Sequence, residues 1–219
     1  MSSKADINRL GDALRDAALN NEMLNVEALV NYRHSFWDAE HKVAYKLATE
    51  VGGAFTSRTK STESIVAKLI REPTMRLSRI QDIVGFRYVV SDLNEQESLC
   101  GLIQSTFPEA KIKDRRIEPQ HGYRAIHLTV MEAGKRVEIQ IRTRLQHLWA
   151  QYSEMLADRA GHELKYGGGH EKVKRFLEDI SEKTHARDLE LIRQGVTLNA
   201  QQVHDEFKAM LPVADTPVN

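Results

Sequence analysis

Apolar positions recur at helical spacing from the start of the chain. Leu29, Tyr32, Phe36, Val43 and Leu47 fall close to one face, so residues 3 to about 52 are predicted to be helical, and Gly52-Gly53 ends the run. The helical pattern reopens at Thr62-Glu63-Ser64, passes Leu69 and stops at Pro73. The period then changes. FRYVV (86 to 90), AKIKD (110 to 114), AIHLTV (125 to 130) and VEIQI (137 to 141) carry the β-branched and aromatic residues of strands. The last two are joined by MEAGKR, a hairpin turn around Gly134. LNEQESLCGLIQSTF between the first two is helical, which makes the core α/β (α+β), a mixed sheet flanked by helices. Helical patterns return over about 143 to 160 and, after GGG at 167 to 169, in a helix carrying Val173, Phe176, Leu177 and Ile180. Residues 186 to 211 continue as an amphipathic helix. The expected division is N-terminal helices (1–53), a core (54–160), C-terminal helices (161–212) and a disordered tail (213–219). The apolar faces of the C-terminal helices suit either a homo-oligomer interface or packing on the core.

Composition narrows the class. The 219 residues are 41% hydrophobic and 28% charged, a globular mix for one domain with appended helices. Lys+Arg and Asp+Glu both count 31, which excludes a generic polyanion-coating protein. No apolar run is long enough to span a membrane and the N-terminus lacks a signal-peptide pattern, so the expectation is a soluble, cytoplasmic protein with no membrane contact. Cys100, in ESLCGLI, reads as a small buried hydrophobe rather than a nucleophile.

Charge is balanced globally but not locally. Residues 110 to 144 hold nine Lys or Arg against four acids, a net of +5 around a Gly-containing loop between strands, the layout of an anion site. Asp82, just before FRYVV, and Glu138, inside an otherwise apolar strand, are sharper signals. A buried carboxylate is costly unless it is paired or binds metal. Two on neighbouring strands suit Mg²⁺ with phosphate oxygens and water, and they equally suit salt bridges, for example Glu138 with Arg87 or Arg142. In RTKSTESIVAKLIR, Ser64, Lys68 and Arg71 share one helix face with Arg58 and Lys60 at its entrance. That is a phosphate-binding arrangement, or an ordinary basic surface helix. No Walker loop is present, and His204-Asp205 reads as surface.

RTKSTESIVAKL, IQDIVGFR, HGYRAIH and VEIQIRT, in that order over residues 58 to 143, resemble the synthetase domain of the RelA/SpoT family in its short single-domain form, the small alarmone synthetases. The resemblance implies a nucleotidyltransferase-like fold and transfer of the β,γ-pyrophosphate of ATP to a ribose 3′-hydroxyl, typically of GDP or GTP. By motif position, Arg58 and Arg87 would sandwich adenine, and Lys60, Ser64 and Lys68, with Arg71 beside them, would hold the ATP phosphates. Asp82 and Glu138 would carry Mg²⁺. Glu138 would take the acceptor's proton, with Gln140 and Arg142 nearby. Tyr123 would stack on the acceptor base beside His127, and Lys111, Lys113 and Arg115 would meet acceptor phosphates. The loop DRRIEPQHGY departs from the family's usual D-Y-I-x-x-P-K-x-N-G-Y: it is one residue shorter, Arg115 replaces the first Tyr and His121 the Asn. Single-domain relatives include toxins that make adenosine alarmones or pyrophosphorylate the 3′ CCA end of tRNA. Transfer to tRNA, with an antitoxin protein as partner, therefore stands as an alternative, and a catalytically inactive nucleotide-binding relative as a second. The chain is too short for the family's hydrolase domain as well.

Overall fold

Capping residues cut the N-terminal helical run into three pieces. In a computed structural model describing residues 3–160 and 168–212, helix α1 (Lys4–Leu19) starts on a Ser3–Asp6 capping box and ends at Asn20, followed by Asn21 at φ 55°. Asn25 caps α2 (Val26–His34), and after a turn at Ser35-Phe36 comes α3 (Trp37–Lys46), continued by a π-turn over Leu47–Val51. The helical stretch expected over 3 to about 52 is thus present as three helices rather than one continuous run. Asparagine and serine side chains compete for backbone hydrogen bonds, and here they terminate helices rather than ride through them. The expected face survives the breaks: Leu29, Tyr32, Phe36, Val43 and Leu47 are all buried. Gly52 and Gly53 end the run with φ of 76° and 75°.

Strand β1 (Phe55–Thr59) leads into α4 (Thr62–Arg71), β2 (Val84–Val90), α5 (Leu93–Thr106), β3 (Lys111–Asp114), β4 (Ile126–Glu132) and β5 (Lys135–Thr143). The strands form one mixed five-stranded sheet in the order β1-β2-β5-β4-β3. Strand β1 was not foreseen, because FTSRT is polar and exposed apart from half-buried Phe55. The β4–β5 hairpin turns through Ala133 and Gly134 at φ 46° and 71°, the left-handed pair that a two-residue hairpin demands. Along β5, Val137, Ile139 and Ile141 are buried, while Glu138 and Gln140 alternate to the other face and are only half-buried. Glu138 is thus not a buried acid in an apolar strand, as the sequence suggested, and escapes the full cost of burial. Cys100 is buried, and burial pushes its thiol pKa up, as befits a small hydrophobe.

Helices α6 (Arg144–Ala160), α7 (Glu171–Gln194) and α8 (Ala200–Met210) complete the described chain. The helix expected over 186 to 211 is two helices, because Gly195 adopts the left-handed conformation and caps α7. Leu177, Ile180, Leu191, Val203 and Phe207 pack with Leu145 and Trp149, so the apolar faces of α7 and α8 are covered by their own chain. Gly167 and the tail 213–219 lie outside the described residues. Among those described, no helix is long and apolar enough to cross a membrane.

The chain divides into two compact units. One comprises the chain up to Arg87 with Thr106–Lys111 and Leu128–Ile139; the other comprises Tyr88–Ser105, Ile112–His127 and the chain from Gln140 onward. The second unit holds a buried acid, Asp188, 2% exposed, which accepts a 2.8 Å hydrogen bond from Thr143 Oγ1. Burial, with the nearby Asp92 charge and against the Thr143 bond, raises its pKa from 3.8 to about 7. The folded chain therefore keeps a proton that the unfolded chain releases near pH 4, and stability falls as pH rises from about 4 to about 7. Asp188→Asn keeps an oxygen for Thr143 and removes that penalty, on the order of 4 kcal/mol at pH 8. Melting curves at pH 5 and pH 8 are expected to show the variant gaining most at pH 8; equal gains at both would contradict a near-neutral Asp188.

Candidate active site

In the first unit, local structure converges on Asp82. Ser61 caps α4 by accepting from the Ser64 amide (3.2 Å), which turns the chain just after β1 and fixes the helix start. Arg33, from α2, braces the same turn by donating to the Lys60 carbonyl (3.3 Å) and Thr62 Oγ1 (3.2 Å). Lys60, whose amide donates to the Ile83 carbonyl, and Lys68, two turns into α4, then reach one carboxylate. Lys60 Nζ lies 2.8 Å from Asp82 Oδ2, and Lys68 Nζ lies 3.5 Å from Oδ1. Burial would raise the pKa of Asp82, but the charges of Lys60 and Lys68 and the Lys60 hydrogen bond outweigh it and hold the carboxyl below its ordinary value. Ser64 is exposed at the helix start, and Arg71, at the far end of α4, pairs with Glu72 at 3.2 Å. Arg58 is exposed on β1 and Arg87 half-buried on β2. Glu138 faces Gly85 of β2, where a Cβ would come within 3.1 Å of the Glu138 carbonyl oxygen, so glycine permits the two strands to approach there.

The salt-bridge alternative weighed for the acids is realised at Asp82, with Lys60 and Lys68 as partners. The residues also suit Mg²⁺. Asp82 is an ionised hard-oxygen donor, and its buried Oδ1, in ion-pair contact with Lys68, accepts no hydrogen bond among the described residues. No cluster of three or more His, Cys, Asp or Glu ligands occurs among the described residues, so a cation there would complete its shell from substrate oxygens and water, the usual habit of Mg²⁺.

In the second unit the loop before β4 closes as a tight turn. Gln120 and Tyr123 bond each other's backbone (3.3 and 2.9 Å), with His121 and Gly122 at φ 52° and 82°. Histidine tolerates that left-handed conformation better than most residues, which accounts for His121 at this position. The turn delivers Tyr123 to a polar cluster. Arg142 donates to the Tyr123 hydroxyl from Nη2 (2.9 Å) and Nε (3.2 Å) and to Gln140 Oε1 (3.0 Å), with its guanidinium carbon 5.0 Å from the Tyr123 ring centre. His127 Nε2 lies 3.0 Å from the same hydroxyl. Arg142 is 5% exposed, so this guanidinium is buried and is held by the Tyr123 hydroxyl and the Gln140 amide oxygen. Lys111 and Lys113 are exposed on the edge strand β3 and Arg115 is half-buried beyond it.

Of the residues singled out from sequence, then, Lys60, Lys68 and Asp82 meet in one unit, and Tyr123, His127, Gln140 and Arg142 meet in the other. Arg71 pairs with Glu72 at the end of the same helix. Sequence reasoning missed Arg33, and it also missed Arg124 and Ser181, which anchor the Gly122 turn. Arg33 meets Lys60 across 27 residues and Ser181 meets Arg124 and Gly122 across 57 and 59, where no local spacing signals them.

Residues 57–166 match the model of the region found in RelA/SpoT proteins, half of the chain. The chain belongs to the RelA/SpoT family. An uncharacterised protein of Mycobacterium tuberculosis is 45% identical over 115 residues, 51% of this chain and 42% of its own length. A probable chloroplastic GTP diphosphokinase of Arabidopsis thaliana is 33% identical over 99 residues, 43% of this chain and 14% of that protein. The RelA/SpoT chain thus spans less than half the length of these curated relatives. Among solved structures, small alarmone synthetase 1 of Bacillus subtilis, bound to its product pppGpp, superposes with a TM-score of 0.56 at 26% identity, covering 78% of this chain and 96% of that one.

Proposed function

We propose that this chain is an ATP-dependent pyrophosphokinase that transfers the β,γ-pyrophosphate of ATP to the 3′-hydroxyl of GDP or GTP, forming (p)ppGpp. The observation that carries the reading is Asp82, held ionised between Lys60 and Lys68: one site offers both an anionic ligand for a cation and two ammonium groups for phosphate. The B. subtilis synthetase bound to pppGpp and the probable diphosphokinase among the relatives support the choice of nucleotide.

In this reading Arg58 and Arg87 take the adenine, a task suited to planar guanidinium. Lys60, Lys68 and Ser64 hold the phosphates at the start of α4. Tyr123 stacks on the acceptor base, with His127 and Arg142 beside it. The Glu138 carboxylate accepts the proton from the 3′-hydroxyl as that oxygen bonds to the β-phosphorus of ATP. The bond from the β-phosphorus to the α,β-bridging oxygen breaks, and AMP leaves with that oxygen. Asp82 and Glu138 are the residues that would hold Mg²⁺, which when bound neutralises charge on the phosphates.

The test is transfer from γ-labelled ATP with Mg²⁺ to GDP, GTP, AMP and deacylated tRNA, offered separately. Label is expected in GDP or GTP. Label in tRNA alone would replace this reading with translation inhibition, and label in no acceptor would make the chain a nucleotide-binding relative without turnover.

A further inference from the structure

The polar cluster of the second unit hangs on one face of α7, outside the residues that match the family model. The Gly122 carbonyl accepts a hydrogen bond from Ser181 Oγ. Arg124, 6% exposed, donates from Nε to the same Ser181 oxygen (3.3 Å) and from Nη1 to the Arg116 carbonyl, and it pairs with Glu182. Gly122 is wedged there: a Cβ would lie 2.8 Å from Trp149 Cζ2 and 3.3 Å from the Leu177 carbonyl oxygen, while Trp149 Nε1 itself donates to that carbonyl (2.8 Å). Farther along the helix, Asp188 accepts from Thr143 Oγ1 at 2.8 Å.

Ser181 and Asp188 are seven residues apart, two turns on the same helix face, about 10 Å along the axis. The groups they hold flank the key pair. Gly122 and Arg124 bracket Tyr123, Thr143 follows Arg142, and Tyr123 and Arg142 bond each other. One rigid helix therefore fixes both ends of that contact. We propose that α7 acts as a ruler for the acceptor pocket, with Ser181 and Asp188 as positioning residues that set Tyr123 against Arg142 and so govern acceptor affinity without touching the acceptor. The proposal rests on the reading that Tyr123 and Arg142 receive the acceptor. A cavity of about 380 Å³ lined by Leu93, Arg116, Ile117, Arg124, His185 and Leu189 adjoins the start of the loop, at Arg116 and Ile117.

The experiment combines steady-state kinetics with amide hydrogen exchange on the full chain. Ser181→Ala is expected to raise KM for the acceptor about tenfold, with KM for ATP and kcat within about twofold of wild type. Thr143→Val should act in the same direction, and Thr143→Ser, which restores the hydroxyl, should return the wild-type value. Amides of residues 115–123 should exchange about tenfold faster in Ser181→Ala, with those of β1 and α4 unchanged. Both Michaelis constants rising together, or neither, would overturn the ruler. If the wild-type chain transfers to no acceptor, the proposed function fails by itself. The exchange arm then decides the ruler, and unaltered exchange over 115–123 would refute it.

Discussion

Replacing Glu138 by glutamine is expected to lower pyrophosphate transfer about a thousandfold while leaving the melting temperature close to that of wild type. Val137, Ile139 and Ile141, all fully buried, lie on the face of β5 opposite Glu138, and the substitution touches none of them. Glutamine keeps the length and polarity of the half-buried side chain on the opposite face, so the strand and its close approach to Gly85 persist. What disappears is the negative charge, and with it both the proton acceptor and the cation ligand assigned to this position. The variant should therefore lose kcat far more than KM for either substrate, as expected of an interaction made chiefly in the transition state. Activity within tenfold of wild type would remove Glu138 from the mechanism.

Much of this arrangement was legible in the sequence, and the rest was hidden for identifiable reasons. Helices α4 and α5 and strands β2, β4 and β5 could be read because their patterns are sustained and end in proline, glycine or capping residues. Strand β1 could not, because a short, polar edge strand has no buried face to impose alternation. The three-way division of the N-terminal helices turned on Asn20, Asn25 and Ser35, whose capping role depends on the turn they sit in. At the site, motif order located Asp82, Lys60 and Lys68, and the fold brings them onto one carboxylate. The tethering of Gly122 by Ser181, 59 residues away, leaves no mark on local spacing, because it is made by tertiary packing of α7.

Asp82→Asn is expected to separate two functions that the wild-type residue combines. The carboxylate now neutralises Lys60 at 2.8 Å and Lys68 at 3.5 Å, and its low pKa keeps it charged throughout the neutral range. Asparagine fits the same space and can still accept from Lys60, but it leaves two ammonium groups without their counter-charge. Metal-free ATP, a polyanion, should therefore bind at least as tightly as to wild type, by a factor of about three to ten at the dielectric of a partly buried site. Turnover with Mg²⁺ should nevertheless fall by about a hundredfold or more, because a neutral amide is a poor ligand for a hard cation. Binding of ATP in EDTA, measured beside turnover in Mg²⁺, reads the two effects independently. A variant that loses both would show that Asp82 only keeps the lysines in place, since the phosphate site would then depend on the carboxylate for its shape. A variant that keeps both would exclude Asp82 as a cation ligand. Opposite movement of the two is the signature of a carboxylate that balances Lys60 and Lys68 and would also serve as the ligand of a cation.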